Sequence, residues 1–169
     1  MPTDYESNAE SNGQMFTIKA NDEVAIQSLN FVAKKDGKSD VMVYTKYGSH
    51  VGYETNGAKN IWTLLLHDGD IMFEKNEVTA IELPTPISVG GANDNERAFY
   101  VYSHDVPLMY HKIDGGKDTP VVLSSEIVSI GDVSIEVSSV VGTKKLFQDV
   151  NGEGAHTGGI TYYMSSSYQ

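Results

Sequence analysis

Gly48-Ser49-His50-Val51-Gly52 sets a hydroxyl beside an imidazole. A hydrolase nucleophile needs its serine at the centre of a strained G-x-S-x-G turn. Ser49 is displaced from that centre, and adjacent residues in extended backbone face opposite ways. The segment therefore reads as a turn. His50, His67, His104, His111 and His156 never approach H-x-H or HExxH spacing. They read as surface or hydrogen-bonded imidazoles. The most metal-like stretch is Asp149-Val150-Asn151-Gly152-Glu153-Gly154. Asp149, Asn151 and Glu153 offer oxygens at alternating positions, and glycine turns the chain, as a calcium loop requires. The twelfth position is Ile160 where a bidentate Glu belongs, and the flanks are strand-like, so an EF-hand is excluded. A partial calcium site is weighed here against a plain Asn-Gly turn, which is the favoured reading. No other cofactor is expected. Asp68 with Asp70, and Asp94 with Glu96, could hold calcium or serve glycoside hydrolysis if loops converged. No spacing singles out one pair, and the chain is read as non-enzymatic.

Aromatic side chains are the other resource. Tyr and Trp join an apolar body to a polar tip, which suits sugar stacking, protein interfaces and cores alike. Trp62, Tyr44 and Tyr100 sit in strand-like runs and read as core. Tyr47 and Tyr53 flank the Gly48–Gly52 bend. With Glu54 beside them, they form the candidate exposed platform for a ligand.

These residues must be carried by short strands. Val24, Ile26, Leu29, Phe31 and Val32 lie mostly two apart, and the slip between Ile26 and Leu29 predicts a bulge. Asp36-Gly37 centres a turn. Val41, Val43 and Thr45 then alternate with Met42, Tyr44 and Lys46 in the best strand of the chain. Asn56-Gly57 predicts a turn, Ile61 to Leu66 a strand, and His67-Asp68-Gly69-Asp70 another turn. Val78 to Leu83 reads as a strand closed by Pro84 and Pro86, which belong at an edge or a crossing between sheets. Gly90 to Asn95 reads as a loop, Ala98 to Tyr102 as a strong strand, and Leu108 to His111 as a short one. After a loop over Asp114 to Asp118, strands are expected at Val121–Leu123, Ile127–Ile130, Val133–Val137 and Gly158–Met164. No helical period persists beyond about two turns. The prediction is all-β, an antiparallel, jelly-roll-like sandwich. Residues 1–12 read as a disordered lead, 13–164 as one domain and 165–169 as a flexible tail.

Composition bounds the function. The net charge of −11 leaves no basic face, which argues against nucleic acid and anionic lipid. There is no cysteine, so disulfides, thiolate zinc sites and cysteine nucleophiles are excluded. No stretch has the unbroken apolar length of a membrane span, and no membrane insertion is expected. The polar start, Met1 to Gly13, carries no secretion signal, which leaves the cytosol open as a compartment.

Several stretches together have a familiar order. These are Asn12-Gly13-Gln14-Met15-Phe16, Val41-Met42-Val43-Tyr44-Thr45-Lys46-Tyr47-Gly48-Ser49-His50-Val51-Gly52-Tyr53-Glu54, Trp62, Ala98-Phe99-Tyr100-Val101 and Gly159-Ile160-Thr161-Tyr162-Tyr163. The set resembles a β-sandwich domain common in predicted proteins of diatoms, other stramenopiles and secreted bacterial proteins. The resemblance spans residues 12–164. It implies an extracellular or cell-surface setting and an adhesion or matrix role, with no catalytic residues to carry over. Two motifs depart from the pattern, at Tyr110-His111-Lys112-Ile113 and at Glu153-Gly154-Ala155-His156-Thr157-Gly158. The resulting expectation is a recognition module that binds glycan or a protein surface through loops and exposed tyrosines. The alternative is a self-associating structural subunit, a homo-oligomer of a layer or matrix. A glycan-active hydrolase ranks third.

Overall fold

The computed structural model describes residues 9–54, 56–90, 96–112, 121–122, 135–137, 140–156 and 158–164. In chain order the strands are β1 (Ala9–Ser11), β2 (Gly13–Ala20), β3 (Val24–Val32), β4 (Gly37–Tyr47), β5 (Thr63–Phe73), β6 (Val78–Val89) and β7 (Glu96–Ser103). They continue as β8 (Leu108–Lys112), β9 (Val121–Val122), β10 (Ile135–Val137), β11 (Val140–Lys145), β12 (Gln148–His156) and β13 (Gly158–Met164). A single 3-10 turn over Asn56–Ile61 is the only helical element among the described residues. The expected strand at Ile127–Ile130, the loop at Asp114–Asp118 and the tail 165–169 lie outside those residues.

Two antiparallel sheets make the sandwich. The large sheet runs β1-β8-β12-β11-β2-β7-β4-β5, with β10 pairing β2 beyond the end of β11 and β9 pairing β10. The small sheet is β13-β3-β6. The layers are thus unequal, ten strands against three. β1 falls inside the stretch read as a lead and pairs Ala9–Ser11 with Tyr110–Leu108 of β8.

Alternation places the core. Phe16 and Ile18 of β2, Val41 and Val43 of β4, and Phe99 and Val101 of β7 all face the small sheet. There they meet Val24, Ile26, Leu29 and Phe31 of β3 and Ile81 and Leu83 of β6. Each fully buried side chain of this size is worth about 1.5–3 kcal/mol. The predicted bulge in β3 is present. Ile26 pairs with Ile87 and Tyr162, Ser28 pairs with Glu82 and Thr161, and Gln27 is left over. A period-2 strand loses phase when a residue is inserted. Here the extra residue restores it, so that both Ile26 and Leu29 point inward.

Three turn expectations are corrected. His67-Asp68-Gly69-Asp70 does not turn the chain but lies within β5. The register jumps from Val41–Asp68 to Ser39–Ile71, so the glycine and its neighbour are absorbed as a bulge. Pro84 and Pro86 do not close β6, which runs on to Val89. They are tolerated because residues 83–86 fall in the register break between Ile26–Ile87 and Ser28–Glu82, outside the ladder, on an edge strand of the small sheet as described. Asn151-Gly152 is no turn either, since it lies within β12. The reversal sits instead at Leu146-Phe147, with Phe147 at a φ of 55°. A side chain in the left-handed region is strained, and burial of the Phe147 ring offsets that strain.

Candidate functional site

β4 ends at Tyr47, and the chain then bends out over the far face of the large sheet, the face turned away from the small one. Gly48 and Gly52 hold φ values of 76° and 88°, which side chains other than glycine resist. Between them the backbone is tied at almost every step. The Gly48 amide donates to the Glu96 carbonyl at 3.3 Å, and the Tyr53 amide to the His50 carbonyl at 2.9 Å. The Val51 amide donates to Ser49 Oγ at 3.1 Å, and the Gly52 amide to Glu54 Oε1 at 3.0 Å. The His50 amide donates to Thr17 Oγ1 at 3.0 Å, and the His50 ring Nδ1 lies 2.7 Å from the same oxygen. Both side chains are buried, so the Thr17–His50 pair works as an anchor beneath the loop.

Lys46 is the central tie. It lies on the outer face and is 7% exposed. Its Nζ donates to the Tyr47 carbonyl at 2.8 Å and also to the Ser49 carbonyl. The ammonium sits 4.2 Å from the Tyr53 ring centroid and 6.0 Å from that of Trp62. Such a cation over aromatic faces is stabilised by their quadrupoles, the more so when water is excluded. Burial lowers the pKa of Lys46, and the nearby Glu96 carboxylate acts the other way. Trp62 closes the arrangement. Its indole Nε1 donates to the Tyr53 carbonyl at 2.9 Å.

Beneath and beside this loop lies a second buried cluster of Met15, Tyr44, Trp62, Ala98, Tyr100, Tyr102 and Phe147. Tyr44, Tyr100 and Trp62 are therefore core residues, as their strands predicted. Phe147 packs edge-on to Tyr100 at 4.7 Å and to Tyr44 at 5.1 Å. The Tyr100 hydroxyl accepts from the Phe147 amide at 3.0 Å and pairs with Thr143 Oγ1 at 2.8 Å. Burial pushes its pKa up to about 12, although both hydrogen bonds act to lower it.

The expected Tyr47, Tyr53 and Glu54 are thus brought to one loop but not to one flat platform. Tyr53 is 37% exposed and lies over Lys46 on the outer face. Tyr47 follows Lys46 directly in β4 and so leaves the sheet on the opposite face. It is 69% exposed, and the Arg97 guanidinium lies 4.2 Å from its ring centroid. Glu54 holds the loop shut through Gly52. Val51, 67% exposed, completes a trio of large exposed side chains within seven residues.

Asp149, Asn151 and Glu153 belong to β12, not to a loop. The strand pairs with β11 and β8, and the register jump between Gly142–Gly152 and Thr143–Val150 leaves Asn151 as the extra residue of a bulge. Their side chains lie outside the described residues, as does Asp94. Among the described residues, no group of three or more His, Asp or Glu side chains is placed to hold a metal ion. Asp68 accepts from the Asp70 amide at 2.8 Å, and Asp70 lies 3.4 Å from Lys38, so both serve the β4–β5 ribbon.

Sequence reasoning passed over Lys46, Thr17 and Arg97. A lysine on the same strand face as Tyr44, one residue before an aromatic bend, was a legible signal for a buried cation. Arg97 is the single arginine of the chain and falls next to the predicted strand Ala98–Tyr102. No family model matches this chain, and no curated protein matches it significantly.

Proposed function

We propose that this chain is a non-enzymatic recognition module of the adhesion kind, acting outside the cell or at its surface. It would grip glycan or a protein surface with the loop 47–54. One observation carries the reading. The loop backbone is pinned at residues 48, 50, 51, 52 and 53, while Tyr47, Val51 and Tyr53 stay exposed. Large apolar groups on a pre-ordered loop lose little conformational entropy when they bind.

Pull-down on insoluble polysaccharides, and a glycan array, test the reading, each with and without calcium. Retention of the chain is expected, with Tyr47→Ala and Tyr53→Ala each weakening it by about tenfold or more. Retention that both variants leave unchanged would sink the loop as the recognition surface. A calcium requirement would point back to Asp149, Asn151 and Glu153.

A second reading, a self-associating structural subunit, has Leu64 and Met72 in its favour. Both are exposed on β5, the edge strand of the large sheet. Two features oppose strand-to-strand addition. β5 carries register breaks opposite Val43/Tyr44 and Ser39/Val41, and β6 carries its two prolines. Size-exclusion chromatography over a concentration series separates the readings, since a monomer throughout removes self-association.

A further inference from the structure

We propose that Arg97 is the anion anchor of this loop, and that its ligand is a sugar bearing a single carboxylate. The proposal rests on the recognition reading above and names the chemistry of the ligand.

The chain spends its one arginine beside the most exposed tyrosine among its described side chains. Arg97 Nε donates to Thr45 Oγ1 at 3.0 Å, and the same hydroxyl donates to the Ala98 carbonyl at 2.8 Å. Thr45 is buried, so the guanidinium is held at its root by a fixed acceptor. With Nε engaged, the side-on edge of the fork is taken. The two Nη groups at its end make no hydrogen bond among the described residues. That end offers two parallel N–H donors, the match for a planar carboxylate. Stacking on Tyr47 holds the guanidinium further in place.

Tyr47 supplies the sugar half. One face of its ring meets the guanidinium, and a side chain 69% exposed leaves the rest open. The apolar C–H face of a pyranose can lie there. An exocyclic carboxylate would then reach past the ring edge toward the Nη groups. The charge of the whole chain limits how many carboxylates the ligand carries. With 23 acidic residues against 12 basic ones, the surrounding field repels a polyanion. A glycan with one carboxylate meets Arg97 while adding the least repulsion elsewhere.

NMR titration of the full chain tests the idea. The probes are methyl β-glucuronoside, its methyl ester, methyl β-glucoside and methyl β-glucoside 6-sulfate. The acid is expected to shift both the Arg97 Nε–H and the Tyr47 ring signals, and to bind about tenfold more tightly than the ester. Arg97→Lys keeps the charge but loses the fork, and should bring the acid-to-ester ratio below about threefold. Equal affinities for acid and ester, or sulfate binding as well as carboxylate, overturn the proposal. If all four probes shift Tyr47 equally, the loop reading stands without Arg97. If none perturbs Tyr47, the sugar proposal is overturned, and the loop reading then rests on the Tyr47→Ala pull-down. The acid-to-ester comparison needs only the unaltered chain, so a variant that fails to fold does not block the test.

Discussion

On its inner face the large sheet meets another sheet. Phe16, Phe99, Val43 and Val101 lie against Phe31, Ile26 and Leu29, and nearly all the groups are hydrocarbon. On its outer face the same strands meet a loop and a turn. There the side chains are Met15, Tyr44, Tyr100, Tyr102, Trp62 and Phe147, and polar tips are plentiful. The difference follows from what does the covering. A sheet has already paired its own backbone, so apolar side chains suffice beneath it. A loop arrives with unpaired amides and carbonyls, and each must find a partner when buried. Trp62 Nε1, the Tyr100 hydroxyl and Lys46 Nζ meet that need at the Tyr53 carbonyl, the Phe147 amide and the Tyr47 carbonyl. Aromatic residues with a polar end, and one amphipathic lysine, are the side chains that can pack and hydrogen-bond together.

The inner face is the more sensitive of the two to a single truncation. Phe16→Ala removes a ring that lies 6.3 Å from Phe31 across the two layers and 6.2 Å from Phe99 on the neighbouring strand. A loss of about 3–5 kcal/mol in urea unfolding is expected, with both layers melting together. Tyr100→Phe keeps the outer ring but strips its oxygen. The Phe147 amide and Thr143 hydroxyl lose their partner in a buried site, at a cost of about 1–3 kcal/mol. A variant as stable as the parent would show that the hydroxyl is dispensable.

Alkaline pH sharpens the contrast, because the inner core carries no titratable group among its described side chains. An unfolded tyrosine ionises near about 10. Folded Tyr100 holds its proton up to about 12. The folded state therefore binds the extra proton, and this stabilisation is intact below pH 10 and lost as pH rises toward 12. Tyr44 and Tyr102 are raised too, chiefly by burial, and act in the same sense. Lys46 acts oppositely, since its lowered pKa makes the unfolded chain the better proton binder. Thermal melts should fall through this range, and Tyr100→Phe should flatten the fall. The smallest global effect is expected from Lys46→Met. Losing two carbonyl bonds is offset by relief from burying a charge, for a net change within about 1 kcal/mol. Hydrogen exchange should nonetheless quicken about tenfold at the His50 and Tyr53 amides while Phe99 and Val101 stay protected.

Much of the fold could be read from the sequence wherever alternation was strict. Val41 and Val43 against Met42 and Tyr44 named both faces of β4, and the Ile26–Leu29 slip located the β3 bulge. Local punctuation misled where a strand edge absorbed it. Asp68-Gly69-Asp70 and Pro84-Thr85-Pro86 both carry turn chemistry, yet both lie in strands that are edges among the described residues. β11 and β12 escaped because the pairing of Gly142 with Gly152 leaves no side-chain pattern there. At the site, the bend and its tyrosines were visible. That Tyr47 and Tyr53 take opposite sides of the sheet follows from where β4 ends. Arg97 reaches Tyr47 only through the β4–β7 register, a pairing of residues 50 apart in the chain.

The small sheet has a consequence for how the chain is made. Its central strand, β3, pairs with β13, which brings Gly158–Met164 against Phe31–Val24. During synthesis β3 emerges long before β13, and it must wait for one of its two neighbours. Until then its hydrogen-bonding edge stands open beside an unfinished core. Folding that depends on such distant partners is slow, and partly made chains of this kind are sticky. Ribosome-bound chains halted before residue 158 should accordingly need chaperone protection that the released protein does not.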